Sequence, residues 1–319
     1  MPAITPAQRD LLAICALRIG NKSVDWNLIA RTCQSPEALQ VVLGGDIPED
    51  SAVARKNLTL LRKALPAIED ARARVADELE AAEESGARLV TVLDAGYPAN
   101  LRLVPNLPPF LFHLGNLEER DARSAAIVGT RNASEDGMRR AARMARLLVD
   151  EDVVIFSGLA KGIDTAAHTA TLEAGGRAVA VMGTGIAAKI YPAQNKGLAA
   201  RIVAEGGSLV SQFWPTSGPA TWTFPRRNVV TSGSTMGSVV IEASSTSGAK
   251  MQARIAHEHG KQVFLIKSLA TKEPWAAKMV AEGKAVEVAE LDDVLSRLGN
   301  AKRVQQAAQL RLQLALAGL

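Results

Sequence analysis

The chain has 319 residues, 47% apolar and 22% charged, an ordinary globular composition that excludes wholesale disorder and collagen-like or low-complexity repeats. A net charge of +4 looks like a global polyanion field, yet Lys302, Arg303 and Arg311, with no acid in residues 301–319, supply three of those charges; any polyanion site in the body is a local patch. The start lacks the basic run, apolar core and cleavage site of a signal peptide, and no run reaches the ~20 apolar residues of a spanning helix, so a cytoplasmic protein off the membrane is expected.

In chain order, residues 7–85 read as helical. Leu11, Leu12, Ile14, Cys15 and Leu17 recur at helical spacing, Trp26, Leu28 and Ile29 mark a second unit, and Ser35-Pro36 caps and opens a third. Gly86 is placed to stop the last helix, and the acids Glu69, Asp70, Asp77, Glu78, Glu80, Glu83 and Glu84 are expected on a solvated face. The two cysteines, Cys15 and Cys33, suit a reducing compartment and form no disulfide framework. Residues 89–93 and 110–114 read as strands, separated by a proline-rich stretch that disfavours a long helix.

From Ser124 onward, apolar runs at 125–128, 153–156, 178–182, 209–211, 239–241 and 263–266 alternate with helical segments such as 137–148, and a last strand at 285–288 followed by 292–298 closes the domain. Continuously apolar strands joined by helices predict an α/β domain with a mostly parallel sheet covered on both faces. The expected organisation is an N-terminal helical domain over 1–86, the sheet domain over 87–299 and a helical tail over 300–319.

In open α/β sheets ligands sit beyond the carboxyl ends of the strands. The residues there are Gly129-Thr130-Arg131, then Ser157 to Asp164 with Lys161, then Gly183-Thr184-Gly185, the long loop Gln212 to Arg227, and Glu242 to Ser245 with Ser247-Gly248. Glycines let backbone N–H groups approach an oxyanion, and helix N-termini add positive potential; glycines also serve plain tight turns. Arg131 and Lys161 tilt the reading toward anion binding, because a structural turn needs no charge. Tyr191, Phe213, Trp214, Trp222 and Phe224 are five of twelve aromatics and precede Arg226, Arg227 and Asn228. Rings beside arginines suit single-stranded nucleic acid, although rings of this kind also cap sheets.

Other chemistries fit less well. Gly183 to Ala188 matches G-x-G-x-x-A, but Tyr191-Pro192 leaves little room for the following helix. There is no P-loop, His257-Glu258-His259 has the wrong spacing for a metal site, and Gly233 to Gly237 carries Thr at the centre of a would-be nucleophile elbow. Asp164 and His168, four apart, are either an acid/base pair or a carboxylate and hydrogen-bonded histidine that orient the Lys161 loop.

Ile127 to Arg131, Ser157 to His168, Gly183-Thr184-Gly185 with Tyr191-Pro192, Phe224 to Asn228, and Val240 to Ala243 with Ser247-Gly248 together resemble the DNA-processing protein A (DprA, or Smf) family. Tyr97 to Leu101 and the helical start agree, so the likeness runs from about residue 8 to 298. It implies an extended Rossmann-like, mostly parallel sheet with an N-terminal helical, SAM-like domain, no chemical step, no cofactor and no metal. It also implies single-stranded DNA binding, a homodimer and assistance to a RecA-type recombinase in natural transformation. Carried over by position, the DNA-binding set is Arg131, Lys161, Lys189, Arg226, Arg227 and Asn228, with Ser157 and Gly158 giving backbone or hydroxyl contacts. The chain departs from the pattern at Val229, Gln212, Ala249 to Ala253 and Lys267-Ser268, and lacks the family's common winged-helix segment after Leu298. A nucleotide-binding or nucleoside-monophosphate-processing protein, with Glu242 as its acid, is the rival from another class. A protein adaptor and a specialised paralogue in phage defence are further alternatives.

Overall fold

A computed structural model describes residues 4–298, and the helical tail expected over 300–319 lies outside them. The first helix, α1 (Pro6–Ala16), starts where Thr5 and Gln8 exchange side-chain and backbone hydrogen bonds in a capping box. A short hairpin follows, β1 (Arg18–Ile19) and β2 (Lys22–Ser23), turning at Gly20 with φ +57°. It was not expected within the helical stretch, because two-residue strands leave no periodic signal. Then come α2 (Trp26–Thr32), α3 (Pro36–Leu43), α4 (Ala52–Ala64) and α5 (Ile68–Glu84). Ser35 accepts from Ala38 N–H at 3.2 Å with Pro36 in the first turn, and Gly86 takes φ +74° after α5.

The remaining elements are β3 (Arg88–Thr91), β4 (Phe110–Gly115), β5 (Ser124–Val128), α6 (Glu135–Val149), β6 (Val154–Ser157), α7 (Ile163–Glu173), β7 (Ala178–Val181), α8 (Lys196–Ala204), β8 (Ser208–Ser211), α9 (Thr223–Ser234), β9 (Gly237–Val240), α10 (Gly248–Glu258), β10 (Gln262–Ile266), α11 (Lys267–Lys272), α12 (Pro274–Ala281), β11 (Val286–Val288) and α13 (Asp292–Leu298). The larger sheet runs β11-β10-β9-β5-β6-β7-β8-β4-β3. Its β11-to-β8 part is parallel, and β4 pairs antiparallel with both β8 and β3. The expected mixed, mostly parallel α/β sheet is present. Strands β5 to β9 are buried residue by residue, as strands covered on both faces must be.

The order of strands positions the site. From β5 the chain winds outward through β6, β7 and β8, then returns to lay β9 on the other side of β5. The carboxyl ends of β5 and β9 therefore flank a topological switch point, where the two following segments diverge and leave a crevice. Thr130 N–H donates to the Glu242 carbonyl at 2.7 Å across it. Corrections to the sequence reading lie nearby. The stretch Gln212 to Arg227 is not all loop, since α9 starts at Thr223 and carries Arg226, Arg227 and Asn228 in its first turns. Helices α11 and α12 were not foreseen.

The helical segment packs on the sheet through rings. Trp26 lies 5.0 Å from Phe110 and 5.7 Å from Trp214, centroid to centroid, and Gln8 donates to Asp94 at 2.8 Å. No helix among the described residues is long and apolar enough to cross a membrane.

Candidate functional site

The loop between β6 and α7 is held from within. Asp164, in the first turn of α7, accepts from Gly158 N–H at 3.1 Å and Ala160 N–H at 3.3 Å. The Leu159 carbonyl accepts from Asn195 at 2.8 Å, and the Ala160 carbonyl from Thr165 at 2.7 Å. These bonds hold Leu159 in the left-handed region, φ +57°, where an ordinary side chain is strained. Gly162 takes φ +73°, and a Cβ there would lie 2.5 Å from the Thr130 carbonyl oxygen. The loop is thus pressed against the Arg131 turn, and Lys161 is left at its exposed tip.

Arg227 enters from α9 beneath this loop. Its guanidinium lies flat against Gly158, where a Cβ would fall 1.1 Å from Nη1, and its ion-pair distance to Asp164 is 3.8 Å. The side chain is only 9% exposed, and its Nε has no hydrogen-bond partner. Burial lowers the Arg227 pKa, Asp164 opposes that shift, and the nearby Arg131 charge adds to it. Burial raises the Asp164 carboxyl, against the opposing pull of Arg227 and two backbone N–H groups. His168, one turn on in α7, is fully buried; burial, then the Arg227 charge, pushes its pKa down to about 3, against the opposing pull of a hydrogen bond with the Ser157 backbone. Asp164 orients the loop as the spacing allowed, and His168 is an enclosed ring behind it.

Above this floor lies an open groove lined by Arg131, Lys161, Gly183, Tyr191, Phe224 and Arg227, among others. The Arg131 guanidinium stands 4.9 Å from the centre of the Phe224 ring, a cation–π distance. Tyr191 packs 5.7 Å from Phe224 and is 47% exposed. Gly183 is required because a Cβ would meet Phe224 at 2.8 Å. A second depression, at the switch point itself, is lined by Arg131, Arg227, Asn228, Ser244, Ser247 and Gln252 among others. The two share Arg131, Phe224 and Arg227 and form one continuous cationic rim.

The eight expected site residues divide. Arg131 and Lys161 are exposed and brought together, with Arg227 below them. Asn228 donates to the Gly248 carbonyl at 3.4 Å and ties α9 to the start of α10. Arg226 is exposed, but its guanidinium lies 5.6 Å over Trp222, beside the groove and not in it. Lys189 is exposed in a separate depression with Thr216, Gly218 and the end of α5. Two of the eight lie deeper than the sequence reading expects. Ser157 is fully buried and its hydroxyl donates to the Ile127 carbonyl at 2.6 Å, so no hydroxyl remains for a ligand. Gly158 N–H is taken by Asp164, and the residue serves as the bed for Arg227.

The sequence reading passed over other contributors. Glu78, counted with the solvated acids, accepts from Thr216 N–H at 2.9 Å and Thr216 hydroxyl at 2.7 Å. It thereby anchors to α5 the segment that carries Trp214 and Trp222. Asn195 braces the Lys161 loop. Neither had a local signal, since each acts on a segment remote in sequence. Glu242, the acid of the rival enzyme reading, accepts from Ser134 hydroxyl at 2.8 Å and Ser134 N–H at 3.1 Å. It braces the start of α6, where Ser134 is the N-cap. Among the described residues no cluster of His, Cys, Asp and Glu could hold a metal ion.

The sequence pattern of the family described as DNA recombination-mediator protein A matches residues 88–299, which include the whole of this rim. The chain belongs to that family. Protein Smf of Escherichia coli is 39% identical over 170 residues, 53% of this chain and 45% of that protein. DNA processing protein DprA of Streptococcus pneumoniae is 39% identical over 170 residues, 53% of this chain and 59% of that protein. The chain spans about half the length of the curated relatives it matches. The X-ray structure of the Streptococcus pneumoniae DprA superposes with a TM-score of 0.71 at 29% identity, covering 92% of this chain and 98% of that one. DNA processing protein A of Helicobacter pylori, described for its single-stranded DNA binding mode, superposes with a TM-score of 0.58 at 21% identity and shares the fold. Residues 4–87, with the helix α5 that holds Thr216 through Glu78, lie outside the span that matches the DNA recombination-mediator protein A family.

Proposed function

We propose that this protein binds single-stranded DNA along the sheet rim, without a chemical step or a nucleotide cofactor, and passes the strand to a RecA-type recombinase. The observation that carries this reading is the groove itself: two exposed cations, Arg131 and Lys161, face exposed or half-buried rings, Tyr191 and Phe224, over the buried Arg227–Asp164 pair. Fixed charges meet phosphates, flat faces take bases, and neither reads a base edge, so recognition is largely independent of sequence. Stacking contributes about 1–3 kcal/mol per base, which a duplex with its bases paired inside cannot supply. The names of the relatives support the same reading.

The homodimer, the recombinase and a cytoplasmic setting complete the proposal, with competence or a defence role as its context. Titration of labelled oligothymidylate and of a duplex of equal length, at one salt concentration, tests the binding. Clear preference for the single strand is expected, and equal affinity for both overturns the reading. Release of free base from nucleoside monophosphates, abolished by Glu242→Gln, would establish the rival instead.

A further inference from the structure

The groove does not end at Lys161. Lys161 also lines a second, open depression between α6 and α7, together with Met138, Arg139, Ala142, Ala166 and Glu173. Its floor is mostly apolar, and α6 lines one side through Met138, Arg139 and Ala142, with the crest of the helix above. Along that crest Arg139, Arg143 and Arg146 stand at i, i+4 and i+7, one face of the helix. They cover about 10 Å at 1.5 Å per residue, and all are exposed. Arg139 is met by Glu135 at 3.6 Å and by Asp136, and Arg146 by Glu173 at 3.9 Å. Arg143, and Arg140 beside it, have no ion-pair partner among the described residues. Helix packing does not require the row, because the buried face of α6 is made by Ala141, Met144, Ala145 and Leu148.

We propose that this depression is an extension track for the same polynucleotide: a single strand leaving the rim past Lys161 runs between α6 and α7, its phosphates against Arg139, Arg143 and Arg146 and its bases and sugars over the apolar floor. The inference rests on the single-strand reading above and lengthens its footprint. Two features select a polynucleotide over an acidic protein. The depression is continuous with the rim through a shared lysine, and its charges are spaced along a line.

The test compares oligothymidylates of about 4 and about 16 nucleotides, a range spanned by single-strand site sizes, on the unmodified protein and on the combined variant Arg139→Gln, Arg143→Gln, Arg146→Gln. Exposed pairs of this kind hold little stability, and an unchanged melting temperature checks that the variant folds. The short oligonucleotide is expected to bind the variant as it binds the unmodified protein. For the long one, the slope of log K against log[salt] is expected to fall by about 2, at about 0.7 for each phosphate that the variant no longer neutralises. A variant that keeps the full slope and the full gain in affinity with length overturns the track and leaves the rim intact. Failure of the unmodified protein to bind either oligonucleotide overturns the rim, and the track with it.

Discussion

Arg131 and Arg227 look interchangeable in the sequence, yet they are opposites in the structure. Arg131 is exposed and free to meet a phosphate, so Arg131→Glu is expected to weaken oligothymidylate binding at least tenfold with an unchanged melting temperature, read by anisotropy and calorimetry. Arg227 is buried against Asp164, so Arg227→Glu sets two carboxylates together in the interior. Breaking a buried pair costs about 3–5 kcal/mol, and loss of folding stability is the expected result. A purely functional phenotype would contradict the geometry. Gly158→Ala tests the same packing from the other side, because its Cβ would occupy the Arg227 guanidinium. His168 adds a pH dependence. Its folded pKa of about 3 lies below the ordinary 6.5, so between those values the unfolded chain takes up a proton that the folded one refuses. Its contribution to stability is complete above pH 6.5 and is lost as pH falls toward 3. His259, pushed down to about 4 by burial and Lys261, acts in the same direction. His168→Asn is expected to flatten the fall in melting temperature between about pH 6.5 and pH 4, and an unaltered slope would contradict the assignment.

At the scale of elements, the segment from Gln212 to Trp222 depends on α5. Glu78 is its clamp, through two hydrogen bonds to Thr216. Hydrogen bonds to charged groups contribute about 1.5–3 kcal/mol, and less where water competes. Glu78→Ala is expected to raise hydrogen–deuterium exchange across residues 212–222 while β5 to β9 stay protected; equal exchange with and without the carboxylate would show that the clamp does nothing. The same elements show what a sequence can display. Strands β5 to β10 were legible because burial on both faces makes most of each a continuous apolar run. The antiparallel partners β3 and β4 were legible as strands but not in direction, since period and composition are the same either way. The hairpin at Arg18 to Ser23 is too short to carry a period, and α11 begins directly at the end of β10 with no glycine or proline to mark the change.

Over the whole molecule, the position of the site was legible and its depth was not. Strand ends could be read from apolar runs, and the rule that ligands gather beyond them placed Arg131 and Lys161 side by side. Depth depends on which distant segment lies underneath. Arg227 meets Asp164 and Gly158 from a helix remote in the chain, and Ser157 turns inward to Ile127. Nothing local to Arg226-Arg227 tells which of the pair points out. Family membership confirms the fold over 88–299, while the rim's cations and rings argue for a bare strand as ligand. The most direct test is the salt dependence of oligothymidylate binding by the unmodified protein and by the Arg131→Glu, Lys161→Glu double variant. On a short oligothymidylate that fills only the rim, the unmodified protein should show a log–log slope near −1.4, about 0.7 for each of roughly two phosphates on Arg131 and Lys161. The double variant should lose most of that slope and most of its affinity while remaining folded. Tight binding that ignores salt, or a folded double variant that binds as well as the unmodified protein, would contradict the account.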